Sequence, residues 1–574
     1  MSLPAFLAKS APKSVRFWLF LSLAFNLSYS LLGLKVAFSQ PYVVQDDARQ
    51  HVFWMFRLID PSWFPNDFIA DYFQAVAPVG YTAVYQVAIS LGINPFIWNK
   101  LLPTAISLVT TGYCFGLSLE LFSVPVAGFI SALVFSQNMW FKDDIISATP
   151  RAFAYPLLLA FLYYLVRGSL WPMLGAIALL GLFYPQAVLM GAGILVLRLF
   201  TWDRFPIGFS SNRRRWVFAI AGLSVAFIIL LPFALSSSEY DPAITVEQAK
   251  ALPEFWPHGR SSFFRENPID FYFFGNRSGM FPRSLFTPVT LCAGLLLPIF
   301  AIARKRIPLM SQLSGEIQIL PQILLSSVIL FFAAHALLFQ LHLPSRYTGA
   351  TFRIAIAIAT GISLSIILDR LWWRMASQIT ARRLLAGAGI GAIAISLMAY
   401  PLFVNGYPKT AYRVGLVPEL YQFLQQQPRD ITIASIGEEA NNIPSFSQRA
   451  IFVGREYAIP YQMGYYGVFR QRLVDLVRAL YSPRPQDLQQ FLADYRIHFF
   501  LLDPNTFTPE YLANQRWIQD LQIVQESEQL MQRGEVPVLA TLVPQCQALE
   551  TQGMILVNAE CIQQRLAGGN FREE

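Results

Sequence analysis

Residues 16–58 read RFWLFLSLAFNLSYSLLGLKVAFSQPYVVQDDARQHVFWMFRL. The first part, to about residue 38, is an apolar run whose length matches the 20 or so helical residues needed to cross a ~30 Å hydrocarbon layer. Directly after it, charge crowds into one short segment: Asp46, Asp47, Arg49, His51 and Arg57, followed by Asp60, Asp67 and Asp71. An apolar span delivering its chain into a charged loop at the membrane surface is the pattern that sets the fold.

Outward from there, apolar runs recur to about Val404 and then stop. Charged residues are only 14% of the 574-residue chain and apolar ones 55%, with a mean hydropathy of +0.43. Soluble domains carry about 25% charge, so a soluble fold is excluded. The net charge of +8 therefore reports membrane orientation rather than a nucleic-acid partner. Four cysteines, none in a CxxC or Cys/His arrangement, exclude a structural zinc site.

Eleven spans are expected, at roughly 16–38, 97–118, 125–140, 150–167, 170–184, 185–199, 216–235, 286–303, 318–341, 347–368 and 384–403. Lys9, Lys13 and Arg16 place the N-terminus inside by the positive-inside rule. If residues 79–93 lie on the outer face as a juxtamembrane helix, then Arg213, Arg214, Arg215, Arg304, Lys305, Arg306, Arg370, Arg374, Arg382 and Arg383 are all cytoplasmic too; a crossing there would invert every later cluster. The first span reads as an uncleaved anchor, with a poor cleavage site at Val36 and Ala37 as the alternative. The chain then divides into a transmembrane domain, 1–404, with a long outer loop at 39–96, and an extracytoplasmic domain, 405–574. In the latter, residues 431–436 (ITIASI), 450–453 and 498–503 (HFFLLD) read as buried strands between helical runs near 416–427, 469–480 and 485–495, a small α/β unit. Cys546 and Cys561 either pair there or stay free.

Three outer-face segments carry candidate chemistry. In QDDARQHVFWMFRL, Asp46 and Asp47 are either helix-start carboxylates favoured by the macrodipole or the general base for a hydroxyl or amine acceptor. In KDDIISATPRAFAYP (142–156), Asp143, Asp144 and Arg151 are either a solvated helix end or, with the first pair, oxygen ligands for a divalent cation or for sugar hydroxyls. In LHLPSRYTGATFR (341–353), His342, Arg346 and Arg353 suit a lipid-linked phosphate, Arg through its planar fork, unless they merely snorkel to headgroups. In the 236–285 loop, His258, Arg260 and Arg265 interleave with Phe255, Trp256, Phe263, Phe264, Phe271 and Phe273, a mixture suited to a lipid phosphate or glycan.

This layout resembles the GT-C superfamily, membrane glycosyltransferases that use polyprenyl-phosphate-linked sugars and include protein O-mannosyltransferases, aminoarabinose transferases and oligosaccharyltransferases. The resemblance covers most of residues 16–403 and rests on QDDAR early in the first outer loop, similar to the family's D-E-x-R, on Asp143 and Asp144 after the third span, on the juxtamembrane helices, on Arg346-Tyr347 before a late span and on an extracytoplasmic tail. It departs at Asp47, where the family often has Glu, and at Ile145, where it often has Pro; which Asp of each pair acts stays open, as does the metal requirement.

The resemblance implies an α-helical polytopic enzyme in a bacterial inner (plasma) membrane. It implies inverting transfer from a polyprenyl-phosphate sugar to a glycan, lipid or protein acceptor, with Asp46, or secondarily Asp47, as base. Arg346, with Arg151 and Arg353, would meet the leaving phosphate; Asp143, Asp144, His342, His258 and Arg260 would be further substrate contacts. Asp46, Asp144 and Arg346 are then expected around one cavity, and the tail is expected to bind acceptor rather than perform chemistry. The competing classes are a polysaccharide polymerase or ligase of another fold, a lipid or glycan transporter, for which the spans offer only His335 and Lys100 as ionisable groups, and a non-catalytic membrane protein with a receptor-like tail.

Overall fold

The computed structural model describes residues 12–201, 208–235, 238–375 and 380–568; Lys9, used above for orientation, lies outside them. Among these residues six helices are long and apolar enough to cross a membrane: Pro12–Ala37, Pro95–Leu121, Arg213–Phe233, Gly315–Ala336, Arg346–Met375 and Thr380–Phe403. The five other expected spans appear as shorter apolar stretches: Pro125–Met139, Ala154–Arg167, Leu170–Phe183, Pro185–Leu197 and Val289–Ile302. A 14-residue helix reaches about 21 Å, so these elements match the hydrocarbon layer only with local thinning. Val289–Ile302 is not one α-helix: Val289–Leu296 is wound as a 3-10 helix before Leu297–Ile302. Two expected boundaries also move: the run set at 318–341 ends at Ala336, and the one set at 347–368 continues to Met375.

The centre of the bundle is Pro125–Met139, every residue of which is buried. It packs along Arg346–Met375, and small residues let the two backbones approach. A Cβ at Gly361 would collide with Ser131 Oγ and with the Ala127 carbonyl. Gly361→Leu should therefore cost about 1–3 kcal/mol or more by overpacking, read as a lower melting temperature in detergent; an unchanged melting curve would mean that this contact is not formed.

Buried polar links tie the first span into the same core. Asn26 Nδ2 donates to Ser107 Oγ at 2.9 Å, and Asn26 Oδ1 accepts from Ser136 Oγ at 2.6 Å and Trp140 Nε1 at 3.1 Å.

The two ends of the bundle differ in charge. At one end Arg214 donates to the Gly168 carbonyl and Arg370 to the Arg306 carbonyl, while Arg198 pairs with Glu316 at 2.6 Å. At the other end lie residues 43–60, 142–151 and 339–346 and the chain after residue 405. Val79–Ser90 is there too, a 12-residue helix of about 18 Å. It buries Gly80, Tyr81, Tyr85 and Ala88 and exposes Val79 and Val87. Tyr85 accepts from Asn99, which also donates to the Ser147 carbonyl.

The C-terminal residues form a five-stranded sheet in the order 450–451, 432–434, 499–502, 554–558, 547–551. The first three strands are parallel and the last two antiparallel. Three of these strands and the helices Pro418–Gln426, Met463–Tyr481 and Pro485–Asp494 lie where periodicity sets them. The terminal hairpin was not anticipated; Cys546 and Cys561, at its two flanks, form a disulfide.

Candidate active site

The charged loop after the first span is held from three directions. Gln45 Oε1 accepts from the Asp47 and Ala48 amides at 2.9 and 3.2 Å, which starts the short helix Ala48–His51. Val43–Gln45 pairs antiparallel with Tyr412–Val414, and the Asp46 amide donates to the Ala411 carbonyl at 3.1 Å. The third anchor is Arg49, only 1% exposed: its guanidinium bonds Asp46, Glu456 Oε2 at 3.2 Å and Asn442 Oδ1 at 3.1 Å. Asp46 is gripped a second time by Arg413 Nε at 2.8 Å. Burial pushes the Asp46 carboxyl up, but Arg413 and Arg49 more than offset it and hold it below the usual carboxylate range.

Asp47 turns the other way. Its carboxylate bonds Arg151, whose guanidinium also meets Asp143 at 3.3 Å and Asp144 at 3.4 Å. Asp144 further accepts from Tyr155 at 2.8 Å and pairs with Lys142 at 3.5 Å. Burial opposes its ionisation; Lys142, Arg151, Arg353 and Arg346 prevail and keep it ionised, well below the normal range. His51 stands beside Asp47 and Arg151; burial, only partly countered by Asp47, pulls it down to about 4, so it is neutral at pH 7.

The local charge balance separates the two first-loop carboxylates. Asp46 and Glu456 face Arg49, Arg260 and Arg413, two anions against three cations. Asp47, Asp143 and Asp144 form ion pairs with Arg151 and Lys142, and Arg353 and Arg346 act on Asp144 from farther off.

Arg346 opens the helix Arg346–Met375 within electrostatic reach of Asp144 and Tyr184. Among the described residues it has no carboxylate partner, and its buried Nε has no hydrogen-bond acceptor. His342 beside it is pulled down to about 3 by burial, by Arg346 and by Arg277, so it brings a neutral ring and the positive charge is that of Arg346.

The other expected contacts are committed elsewhere. Arg353, 1% exposed, donates to Asn138 Oδ1 and to the Arg283 carbonyl, both at 2.5 Å. Arg260 holds Glu456 at 2.7 Å and the Arg455 carbonyl at 3.1 Å. His258 is exposed in a turn, and among the described residues no hydrogen bond joins it to the cluster. Lys100 and His335 do not form a polar path through the bundle: Lys100 lies over the Phe38 ring at 4.9 Å near the start of its helix, and His335, one residue from the end of its own, bonds the Ser278 carbonyl at 2.9 Å.

For a divalent cation the residues do not fit as they stand. Among the described residues no group of three or more His, Cys, Asp or Glu side chains is arranged to hold an ion; Asp47, Asp143 and Asp144 all meet the Arg151 guanidinium instead.

No protein-family model matches the chain, and no curated protein does. Among solved structures, the oligosaccharyltransferase of Archaeoglobus fulgidus tethered with an acceptor peptide matches at a TM-score of 0.54 and 12% identity, over 88% of this chain and 72% of that one. The archaeal oligosaccharyltransferase AglB from the same organism, in complex with an inhibitory peptide and a dolichol-phosphate, matches at 0.51 and 12% over the same shares. This is the GT-C fold.

Within the GT-C fold, the first-loop and second-loop acidic pairs come together as the sequence leads one to expect, but through Asp47 and not Asp46. Arg413, Asn442 and Glu456 were missed because they lie 367, 393 and 407 positions from their partners, and no local pattern marks them. Lys142 and Tyr155 carried a weak signal, since both flank the Asp143 turn.

Proposed function

We propose that this chain is an integral-membrane glycosyltransferase that moves a sugar from a polyprenyl phosphate to an acceptor on the face opposite the basic connections. The observation that carries the reading is the pairing of an anionic half, Asp47 with Asp143 and Asp144 around Arg151, with Arg346, a guanidinium lacking a carboxylate partner among the described residues. An acceptor needs a base, and a phosphate leaving group needs a cation. The GT-C neighbour bound to dolichol-phosphate and an inhibitory peptide supports both ligand classes.

In the proposed step the acceptor oxygen or nitrogen attacks C1 from the face opposite the phosphate. A new C1–acceptor bond forms as the C1–O(phosphate) bond breaks, with inversion. Asp47 takes the acceptor proton, and Arg346 stabilises the charge that develops on the departing phosphate. Arg151 holds Asp47 and Asp144 side by side and helps keep Asp144 ionised.

The proposed topology has eleven crossings, six long and five short, with the basic end cytoplasmic and residues 405–574 outside. Glu535→Cys, at an exposed position, should react with a membrane-impermeant maleimide in intact cells, and Arg214→Cys should react only after permeabilisation. The reverse pattern would contradict the orientation and every role assigned to the outer face. As a test of the donor class, purified protein should bind undecaprenyl phosphate more tightly than phosphatidylglycerol; equal affinity would count against a dedicated phosphate site.

A further inference from the structure

The C-terminal chain does more than cover the loops, because residues 455–461 touch both halves of the site. At one end lies the short 3-10 helix Arg455–Tyr457. Glu456, 3% exposed, meets Arg49 at 3.2 Å and Arg260 at 2.7 Å and accepts from Gln50. The next residue, Tyr457, donates to the Arg49 carbonyl at 3.2 Å. This end therefore grips Arg49 and Gln50, the second and third residues after Asp47. The Glu456 amide is itself fixed by Asn441 Oδ1 at 2.8 Å, so the grip is tied to the C-terminal sheet unit.

Five residues later Tyr461 reaches the basic half. Its hydroxyl accepts from Arg277 Nη1 at 2.7 Å, and its ring lies 5.7 Å from that of His342 and 5.8 Å from that of Phe339. The Arg277 carbonyl accepts from the Ser345 amide at 3.2 Å, the residue immediately before Arg346. Tyr461 also pairs through its carbonyl with the Ile244 amide at 3.0 Å. A path thus runs from the Asp47 carbonyl, which accepts from the Gln50 amide at 3.2 Å, through Gln50 to Glu456, along the chain to Tyr461, and on through Arg277 and Ser345 to Arg346.

We propose that residues 455–461 are a strap fixing the separation between the carboxylate half and the arginine half of the site, with Glu456 and Tyr461 as its two positioning residues. The inference rests on the glycosyltransferase reading for its kinetic consequence, but not for its structural one. Neither residue touches the reacting atoms. In-line attack requires base, sugar carbon and phosphate cation at one spacing, and small misplacements cost large factors in rate. A strap joined to both halves supplies that constraint alongside the Arg353–Asn138 contact between the two central helices.

The test uses the full chain in proteoliposomes with Glu456→Gln and Tyr461→Phe, both close to isosteric. Hydrogen exchange should rise in residues 43–51 for Glu456→Gln and in 342–348 for Tyr461→Phe, while the sheet strands 432–434 and 499–502 stay protected. In transfer assays each variant should lose on the order of tenfold in kcat with the KM for the lipid donor near the wild-type value. Unchanged exchange in those segments overturns the strap, as does raised exchange with unaltered kcat. Exchange spread through the sheet, with donor KM and kcat lost together, overturns it also, since that is the signature of a merely structural role. Should the wild-type chain transfer no sugar, or should Asp47→Asn retain transfer, the glycosyltransferase reading or its base assignment fails; the exchange measurements still decide whether the strap holds the two halves.

Discussion

Asp47→Asn is expected to reduce sugar transfer by 10²–10⁴-fold, on the order of what a positioned general base contributes, with binding of the lipid donor retained. The amide is nearly isosteric with the carboxylate and still accepts a hydrogen bond from Arg151, but it cannot take the acceptor's proton. Asp46→Asn should cost less, because Asp46 serves chiefly to hold Arg49 and Arg413. Initial rates for the two variants, normalised to the amount of folded protein, make the comparison. A larger loss at Asp46 than at Asp47 would return the base to the position that sequence reasoning alone favours.

Arg346→Gln is expected to cost on the order of 100-fold in kcat, the range for removal of one preorganised charge from a developing anion. Because this guanidinium has no carboxylate partner among the described residues, its removal leaves no anion stranded, and the fold should survive. That separates it from Arg151, whose loss would leave Asp47, Asp143 and Asp144 with Lys142 as the one cation in ion-pair range among the described residues and would destabilise the loops as well as the chemistry. Arg346→Lys should recover part of the rate, since it restores charge without the fork. If Arg346→Gln instead raises the donor KM with kcat unchanged, the residue binds the ground state and the transition state alike.

The membrane character, the candidate segments and the acidic pairs were legible in the sequence because each is local. Hydropathy depends on a window of about 20 residues, and Asp46-Asp47 and Asp143-Asp144 stand out against a chain that is otherwise poor in charge. The segment expected at 79–93 is helical over Val79–Ser90, and its placement on the outer face belongs to the proposed topology. What could not be read is pairing over distance. Nothing near Asp46 or Asp47 tells which of them meets Arg151; that depends on the turn set by Gln45 and on a strand supplied by residues 412–414. The tail was expected to help bind the acceptor and not to perform chemistry, and no local pattern showed that Arg413, Asn442 and Glu456 would pair with Asp46 and Arg49. His258 and Arg260 looked like ligand contacts because basic residues among aromatics suit a membrane interface, and Arg353 because its planar fork suits a phosphate; the structure leaves His258 exposed and spends both arginines on protein carbonyls, an amide and a carboxylate.

Transfer of sugar from a polyprenyl phosphate through Asp47 and Arg346 is the proposed activity. Proteoliposomes carrying the purified chain, a panel of radiolabelled polyprenyl-phosphate sugars and a crude acceptor fraction test it in one measurement, with Asp47→Asn reconstituted in parallel. Label from one donor is expected to move into the acceptor with the wild-type chain and to stay on the lipid with the variant. Label remaining on every donor with the folded wild-type chain, or moving equally well with Asp47→Asn, would contradict it.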